Sequence, residues 1–84
     1  MDLKKIGQYI AGKRKALGLT QVQLADKLGM SDISVSKWER GICLPDVSVY
    51  TELCSILEIT LNEFIAGEDL EESRIVHQSE ENIM

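Results

Sequence analysis

Apolar residues recur three or four positions apart along most of the chain, and Gly, Thr, Ser or Pro interrupts the pattern at short intervals. This spacing places the apolar residues of each segment on one face of an α-helix. The predicted helices span residues 3–17, 21–28, 31–40, 47–57 and 61–66. The single Pro leaves room for uninterrupted helices, so the sequence predicts an all-α fold.

Helix starts and stops carry local signals that agree with this periodicity. Thr20 is followed three residues later by Gln23, a capping box that satisfies two amides at a helix start. Thr60 and Glu63 repeat the same signal at the fifth helix. The remaining signals are N-caps at Ser31 and Asp46, and Gly stops at Gly18, Gly29, Gly41 and Gly67.

The apolar faces define a candidate core. Its predicted members are Leu3, Ile6, Ile10, Leu17, Leu24, Ala25, Leu28, Val35, Trp38, Tyr50, Leu53, Cys54, Leu57, Leu61, Phe64 and Ile65. Trp38 is predicted to be a core residue rather than a platform for base stacking. For the fifth helix, a contribution to a dimer interface is the alternative to a core role.

The second and third helices are separated only by a turn at Gly29, and this order is typical of a helix-turn-helix. Gly29 can adopt a turn conformation that other residues resist, and Met30 can fill the gap between the helices. Val35 and Trp38 would anchor the third helix on the second. The opposite face of the third helix would then be free to lie in a DNA major groove.

The chain length limits the number of domains, and the distribution of charge indicates the class of partner. With 84 residues the chain allows one domain, predicted at 1–67, followed by an acidic tail at 68–84. The net charge of −5 argues at first against a nucleic-acid partner. However, residues 1–40 carry +4, residues 41–67 carry −4 and residues 68–84 carry −5. Net positive charge is therefore confined to the first half, where a DNA contact is expected.

Other function classes find no support in the sequence. The cysteines Cys43 and Cys54 have no spacing typical of a metal site or a disulfide framework, and a ligand role for His77 in the tail is not expected. No nucleophile–base pair or phosphate loop is visible, so we expect no enzyme, no cofactor and no metal. The longest apolar run is too short for a membrane span, and a signal peptide is not visible. We therefore expect a cytoplasmic protein that does not itself contact a membrane.

A larger set of residues carries a specific resemblance to a known family. The set is Leu17-Gly18-Leu19-Thr20-Gln21, Leu24-Ala25, Gly29, Ser31, Ser36, Trp38-Glu39-Arg40-Gly41, Leu44-Pro45-Asp46, Leu53, Leu57, Leu61, Phe64 and Ile65. Over about residues 3–67 the chain resembles the XRE/Cro family of phage and bacterial repressors. The resemblance implies a five-helix lambda-repressor-like domain that regulates transcription as a repressor. It also implies a homodimer on double-stranded DNA, with the recognition helix near residues 31–40.

The resemblance also implies roles for individual residues. The implied DNA-binding residues are Gln21, Ser31, Asp32, Ile33, Ser36, Lys37 and Arg40. Gln21 corresponds to a residue that bonds a phosphate and braces the recognition helix, and Arg14 and Glu39 to an internal ion pair. Lys37 can donate to guanine or phosphate, Asp32 can accept from cytosine, and Ile33 can pack on a thymine methyl group.

Several alternatives stay open. Asp32 can act only on the helix dipole, and Ile33 can belong to the core. The other lysines, Lys4, Lys5, Lys13 and Lys15, are expected to be solvated surface. A protein-interaction module of the same fold, antitoxin-like or a scaffold, is the second function. The tail is expected to be partly disordered or to form a further helix that docks or pairs with a second chain, and the chain can be a piece of a longer protein.

Two positions depart from the family pattern. The segment Gly41–Leu44 is uncharged, whereas many relatives place Lys or Arg there. Fewer phosphate contacts predict a shallower salt dependence of DNA binding. Glu58 stands where relatives often have Gly, which predicts a different turn or a small strain.

Overall fold

The computed structural model describes residues 1–70, and these residues form five helices in the predicted order. Their bounds are α1 Leu3–Ala16, α2 Gln21–Leu28, α3 Asp32–Glu39, α4 Val47–Leu57 and α5 Leu61–Ala66. Each bound agrees with the sequence prediction to within one residue. The all-α prediction is confirmed. Residues 71–84, most of the predicted tail, lie outside the described part.

Polar side chains cap the start of every helix. In the two capping boxes, Thr20 accepts from the Gln23 amide at 3.1 Å and Thr60 from the Glu63 amide at 3.0 Å. Both boxes are complete, because the Gln23 and Glu63 side chains bond back to the cap amides at 2.9 Å. The remaining N-caps are Asp2, Ser31 and Asp46. The hydrogen bonds from the Ser48 hydroxyl and amide hold the pKa of Asp46 below its usual value.

Three of the five helices, α2, α4 and α5, end at a residue in the left-handed conformation. Gly29 ends α2 with φ 66° and Gly67 ends α5 with φ 70°. Glu58 ends α4 with φ 59° and ψ 44°, and within residues 1–70 it is the only non-Gly residue with positive φ. The turn after α4 therefore keeps the conformation that Gly favours, with a side chain in its place.

A single apolar core joins all five helices. Its buried members are Ile6, Ile10, Leu24, Ala25, Val35, Trp38, Leu53, Cys54, Leu57, Ile59 and Phe64. The rings of Tyr50 and Phe64 pack at 4.9 Å between centroids, which joins α4 to α5. Trp38 is 4% exposed, so its predicted core role is confirmed.

Four predicted core residues lie at the surface instead. Leu3, Leu17, Leu61 and Ile65 are between 38% and 48% exposed. Leu3 begins α1 and Leu17 follows its end, so neither reaches the centre of the packing interface. Arg14 takes the buried position one turn after Ile10 that an apolar stripe would have filled. In α5, Phe64 alone points into the core.

Helix α1 packs tightly on α3 and also contacts α5. A Cβ on Gly7 would lie 2.4 Å from the Trp38 carbonyl oxygen, so only Gly allows this approach. Behind α5 the chain turns back onto α1, where Lys13 pairs with Asp69 at 2.8 Å and Lys5 pairs with Glu68. None of the helices in the described part is long and apolar enough to cross a membrane.

Candidate nucleic-acid interface

The turn between α2 and α3 fixes the relative placement of the two helices. Gly29 is left-handed, and the Met30 amide donates to the Ala25 carbonyl at 2.9 Å, closing the end of α2. Met30 is partly buried against the core, as predicted. Val35 and Trp38 are buried on the inner face of α3. The helix therefore presents one fixed face to solvent.

The outer face of α3 carries most of the predicted DNA-binding residues. At 100° per residue, five of them fall on one arc of about 140°. In order around the helix they are Asp32, Ser36, Arg40, Ile33 and Lys37. All are exposed except Ser36, which is half-buried. Ile33 is 61% exposed, so the alternative that placed it in the core is wrong.

The first turn of α3 is capped by serine. Ser31 accepts from the Ser34 amide at 3.3 Å, and the two hydroxyls lie 3.2 Å apart. Asp32 follows in the first turn, near the positive end of the helix dipole. This placement is compatible with both roles predicted for Asp32, acceptance from a base and interaction with the dipole.

Arg40 is partly held by its own helix. Its Nε donates to the Ser36 carbonyl at 3.3 Å and to the Ser36 hydroxyl at 3.2 Å. The terminal guanidinium nitrogens have no bonded partner within the described chain. Ser36 therefore orients Arg40, and a base contact by Ser36 would compete with this bond.

A buried polar network joins α3 to the two preceding helices. Arg14 Nε donates to Glu39 Oε2 at 2.7 Å and Arg14 Nη2 to Glu39 Oε1 at 3.0 Å, with side chains 9% and 7% exposed. Arg14 Nη1 donates to the Leu19 carbonyl at 2.7 Å, and Gln21 Nε2 donates to Glu39 Oε1 at 2.9 Å. Hydrogen bonding to Glu39 raises the pKa of Arg14 against the effect of burial.

This network positions the start of α2, where Gln21 lies, against α3. Glu39 is the shared acceptor, so Arg14 and Gln21 are fixed to the same carboxylate. The internal pair that the resemblance implied for Arg14 and Glu39 is present, and Gln21 braces α3 through it. The phosphate contact of Gln21 stays a prediction.

Lys4 is a neighbour of the end of α3 that the sequence did not predict. Gly41 follows α3 with φ 75°, and a Cβ there would lie 3.0 Å from both Cα and Cγ of Lys4. The helical spacing predicts a solvated position for Lys4, because it falls off the apolar stripe of α1. Only the packing of α1 on α3, which depends on Gly7, brings it beside the end of α3.

Charged residues are unevenly distributed around α3. The uncharged segment 41–44 connects α3 to α4, with Ile42 and Cys43 exposed. Asp46, Glu52, Glu58 and Glu63 belong to the acidic half that follows. The basic side chains that the structure shows at α3 are Lys37 and Arg40 of α3 itself, Arg14 paired with Glu39, and Lys4 beside Gly41.

This chain is similar to known helix-turn-helix proteins. A family model for helix-turn-helix domains matches residues 10–64. The transcriptional repressor RstR of cryptic phage CTXphi in Vibrio cholerae is 39% identical over 59 residues, covering 70% of this chain and 53% of RstR. The ImmF control region 10 kDa protein of Bacillus phage phi105 is 36% identical over 62 residues, covering 74% of this chain and 69% of that protein.

A solved structure agrees with the fold. The restriction-modification controller protein C.AhdI from Aeromonas hydrophila superposes with a TM-score of 0.68 and 33% identity, over 75% of this chain and 96% of that one. The chain spans about half the length of RstR. The resemblance seen in the sequence is thus confirmed at the level of both sequence and fold, and this chain belongs to the helix-turn-helix family of XRE/Cro type.

Proposed function

We propose that residues 1–67 form the DNA-binding domain of a transcriptional regulator that acts as a repressor. The observation that carries the proposal is the outer face of α3, where Asp32, Ile33 and Lys37 project from a helix locked by buried contacts. RstR is named as a transcriptional repressor, which supports the same function here. C.AhdI is named as a controller protein of a restriction-modification system.

In the proposed complex, α3 lies in the major groove and reads base edges. Lys37 donates to guanine or to a phosphate, and Ile33 packs against a thymine methyl group. Asp32 accepts from the cytosine amino group, because a carboxylate near phosphates needs a donor to offset repulsion. Ser31, Ser36 and Arg40 complete the contact surface of α3.

The phosphate contacts set the position of the helix. Gln21 holds Glu39 with one N–H, and its other N–H is available to a phosphate at the start of α2. Such contacts fix register and carry no sequence information. The Arg14–Glu39 pair keeps Gln21 and α3 in one rigid unit, so phosphate and base contacts form together.

We further propose that two copies bind a palindromic operator. Leu61 and Ile65 lie four residues apart on α5 and are 48% and 40% exposed, so a second copy could bury them. Two half-sites one helical turn apart would then accept two recognition helices. Ile65→Lys should raise the dimer dissociation constant measured by sedimentation, while far-ultraviolet circular dichroism stays unchanged.

Duplex binding by the full chain tests the main proposal. A random duplex pool and DNA from upstream of its own gene are titrated with wild type, Lys37→Gln and Lys27→Gln. Lys27 is the matched control, an exposed lysine in α2 whose loss changes net charge equally. We expect wild type to prefer the specific DNA by about a thousandfold, Lys37→Gln to lose much of that preference, and Lys27→Gln to keep it.

Two results would contradict the proposal. If wild type binds no duplex at low salt, residues 1–67 do not act as a DNA-binding domain, and the protein-interaction alternative takes its place. If wild type binds specifically but Lys37→Gln matches Lys27→Gln, DNA is bound without the proposed face of α3.

A further inference from the structure

Lys4 occupies an unusual position beside the end of the recognition helix. Its Cα and Cγ each lie 3.0 Å from the point where a Cβ on Gly41 would be, so the lysine stem lies directly on the backbone that follows α3. A lysine held by its stem keeps its ammonium in solvent. The Lys4 ammonium has no ion-pair partner within residues 1–70.

Two other lysines of α1, Lys5 and Lys13, form ion pairs with the segment that follows α5. Lys5 pairs with Glu68, and Lys13 pairs with Asp69 at 2.8 Å. Both pairs lie on the side of α1 toward α5. Lys4 lies on the side toward Gly41 and α3. Of the two adjacent lysines in the first turn of α1, Lys5 is therefore neutralised by an ion pair, and Lys4 is available to a ligand within the described part of the chain.

The other cations at the end of α3 are Lys37, on the proposed base-reading face, and Arg40. Arg40 is drawn back onto Ser36 by two hydrogen bonds, and residues 41–44 carry no charge. An eight-residue helix is about 12 Å long, and the major groove is about 12 Å wide. If the start of α3 reads bases, its end therefore comes up to the phosphates that border the groove.

We propose that Lys4 binds a DNA phosphate at the end of α3 and supplies the cation that the segment after α3 lacks. This assignment rests on the proposed function, because it requires α3 in the major groove. Lys4 contributes to affinity at any sequence and does not discriminate between bases. Gly41 enables the contact, since a side chain there would displace the lysine stem.

The test compares Lys4→Gln with Lys5→Gln in the full chain. The two variants remove the same charge from adjacent residues, and both residues are exposed. Dissociation constants for the specific duplex and for random duplex are measured between 50 and 200 mM salt. Lys4→Arg serves as the conservative variant, and thermal melts followed by circular dichroism check that each variant is folded.

For Lys4→Gln we expect the salt slope of log K to fall by about 0.9. Over this fourfold range of salt, the loss of affinity is then about 3.5 times larger at 50 mM than at 200 mM. The loss should be equal on specific and random duplex. Lys4→Arg and Lys5→Gln should keep the wild-type slope.

Failure of the assignment is distinguishable from failure of the proposed function. If wild type binds no duplex, both are overturned. If wild type binds but Lys4→Gln and Lys5→Gln change the slope equally, the effect belongs to overall charge and the Lys4 contact is overturned. A Lys4→Gln loss confined to the specific duplex also overturns it, because that pattern belongs to base reading.

Discussion

Arg14 is a charged side chain at a buried position of α1, and it is stabilised there by one hydrogen bond from each of its three nitrogens. Three of its nitrogens bond to Glu39 and to the Leu19 carbonyl at 2.7 to 3.0 Å. A buried ion pair is not in itself strong evidence of stability, because both charges lose their hydration. The value of this pair lies in joining α1, α2 and α3 at one carboxylate.

Replacing Arg14 by Met should destabilise the protein strongly. The substitution leaves the Glu39 carboxylate buried with only the Gln21 amide as donor. Breaking a buried pair by removing one partner costs about 3 to 5 kcal/mol of unfolding free energy. Urea denaturation followed by circular dichroism measures the loss.

The double variant Arg14→Met/Glu39→Leu is the matched control. Removing both charges eliminates the uncompensated carboxylate, so most of the lost stability should return. If Arg14→Met alone costs less than about 1 kcal/mol, as an exposed pair would, the pair is more hydrated than its 9% and 7% exposure indicates.

At the scale of helices, the ends follow from local chemistry and were predictable. Thr20 and Thr60 are predictable as caps because Gln23 and Glu63, whose side chains accept from the cap amides, follow three residues later, and both boxes are present as predicted. Exposure was less predictable. Leu3 and Leu17 satisfy the helical spacing of α1, but they stand at its two ends and are 38% and 39% exposed. Periodicity specifies a face and not how much of its length is covered.

Glu58 offers a test of helix-end strain. A left-handed residue with a side chain is unfavourable by about 1 to 2 kcal/mol, which Gly avoids at some cost in chain entropy. Glu58→Gly should therefore raise the unfolding free energy by about 0.5 to 1 kcal/mol. Glu58→Ala separates the loss of the charge from the change in backbone, and it should not reproduce the gain.

At the end of α2, Gly29→Ala should change the unfolding free energy in the direction opposite to Glu58→Gly. Gly29 has φ 66° and open space where a Cβ would be, so Gly29→Ala adds backbone strain without a clash. It should lower the unfolding free energy by about 1 kcal/mol. Equal effects of Glu58→Gly and Gly29→Ala would show that these turns do not determine stability through φ.

The segment after α5 is joined to α1 by a tyrosine that should impose a pH dependence. The Tyr9 hydroxyl donates to Asp69 at 2.8 Å, and burial, this hydrogen bond and the charge of Glu63 raise the pKa of Tyr9. Below pH 10 both folded and unfolded chains keep this proton. Above pH 10 the unfolded chain releases it first, so the unfolding free energy falls as pH rises.

Tyr9→Phe isolates this effect. The difference in unfolding free energy between wild type and variant should be constant from pH 7 to 9. It should then decrease by at most about 1.4 kcal/mol per pH unit above pH 10. Urea denaturation at pH 9, 10 and 11 gives the difference, from which titration of the lysines cancels. A constant difference over the whole range would contradict the raised pKa.

For the molecule as a whole, the candidate site was predictable where it depends on one helix and not where it depends on packing. Asp32, Ile33 and Lys37 share a face of α3 by helical geometry alone. Lys4 is 37 positions before Gly41, and its contact with that residue results from the close packing of α1 on α3 at Gly7. A single sequence without known contacts contains no local signal for that proximity.

The charge polarity of the molecule predicts how affinity can be changed. Residues 1–40 carry +4, residues 41–67 carry −4, and residues 41–44 are uncharged, with Ile42 and Cys43 exposed. A lysine at exposed position 43 should therefore add one phosphate contact if this segment borders the groove. The salt slope of log K for Cys43→Lys should become steeper by about 0.9 than that of Cys43→Ser, which only removes the thiol.

Ser55→Lys adds the same charge to the exposed surface of α4 in the acidic half and is the matched control. A charge far from the phosphates is screened beyond about 10 Å at 0.1 M salt, so this variant should keep the slope of wild type. Fluorescence anisotropy of a labelled duplex at four salt concentrations measures the salt slope for wild type and for the three variants. If Cys43→Lys and Ser55→Lys steepen the slope equally, DNA responds to the net charge of −5, and the basic first half does not orient the complex.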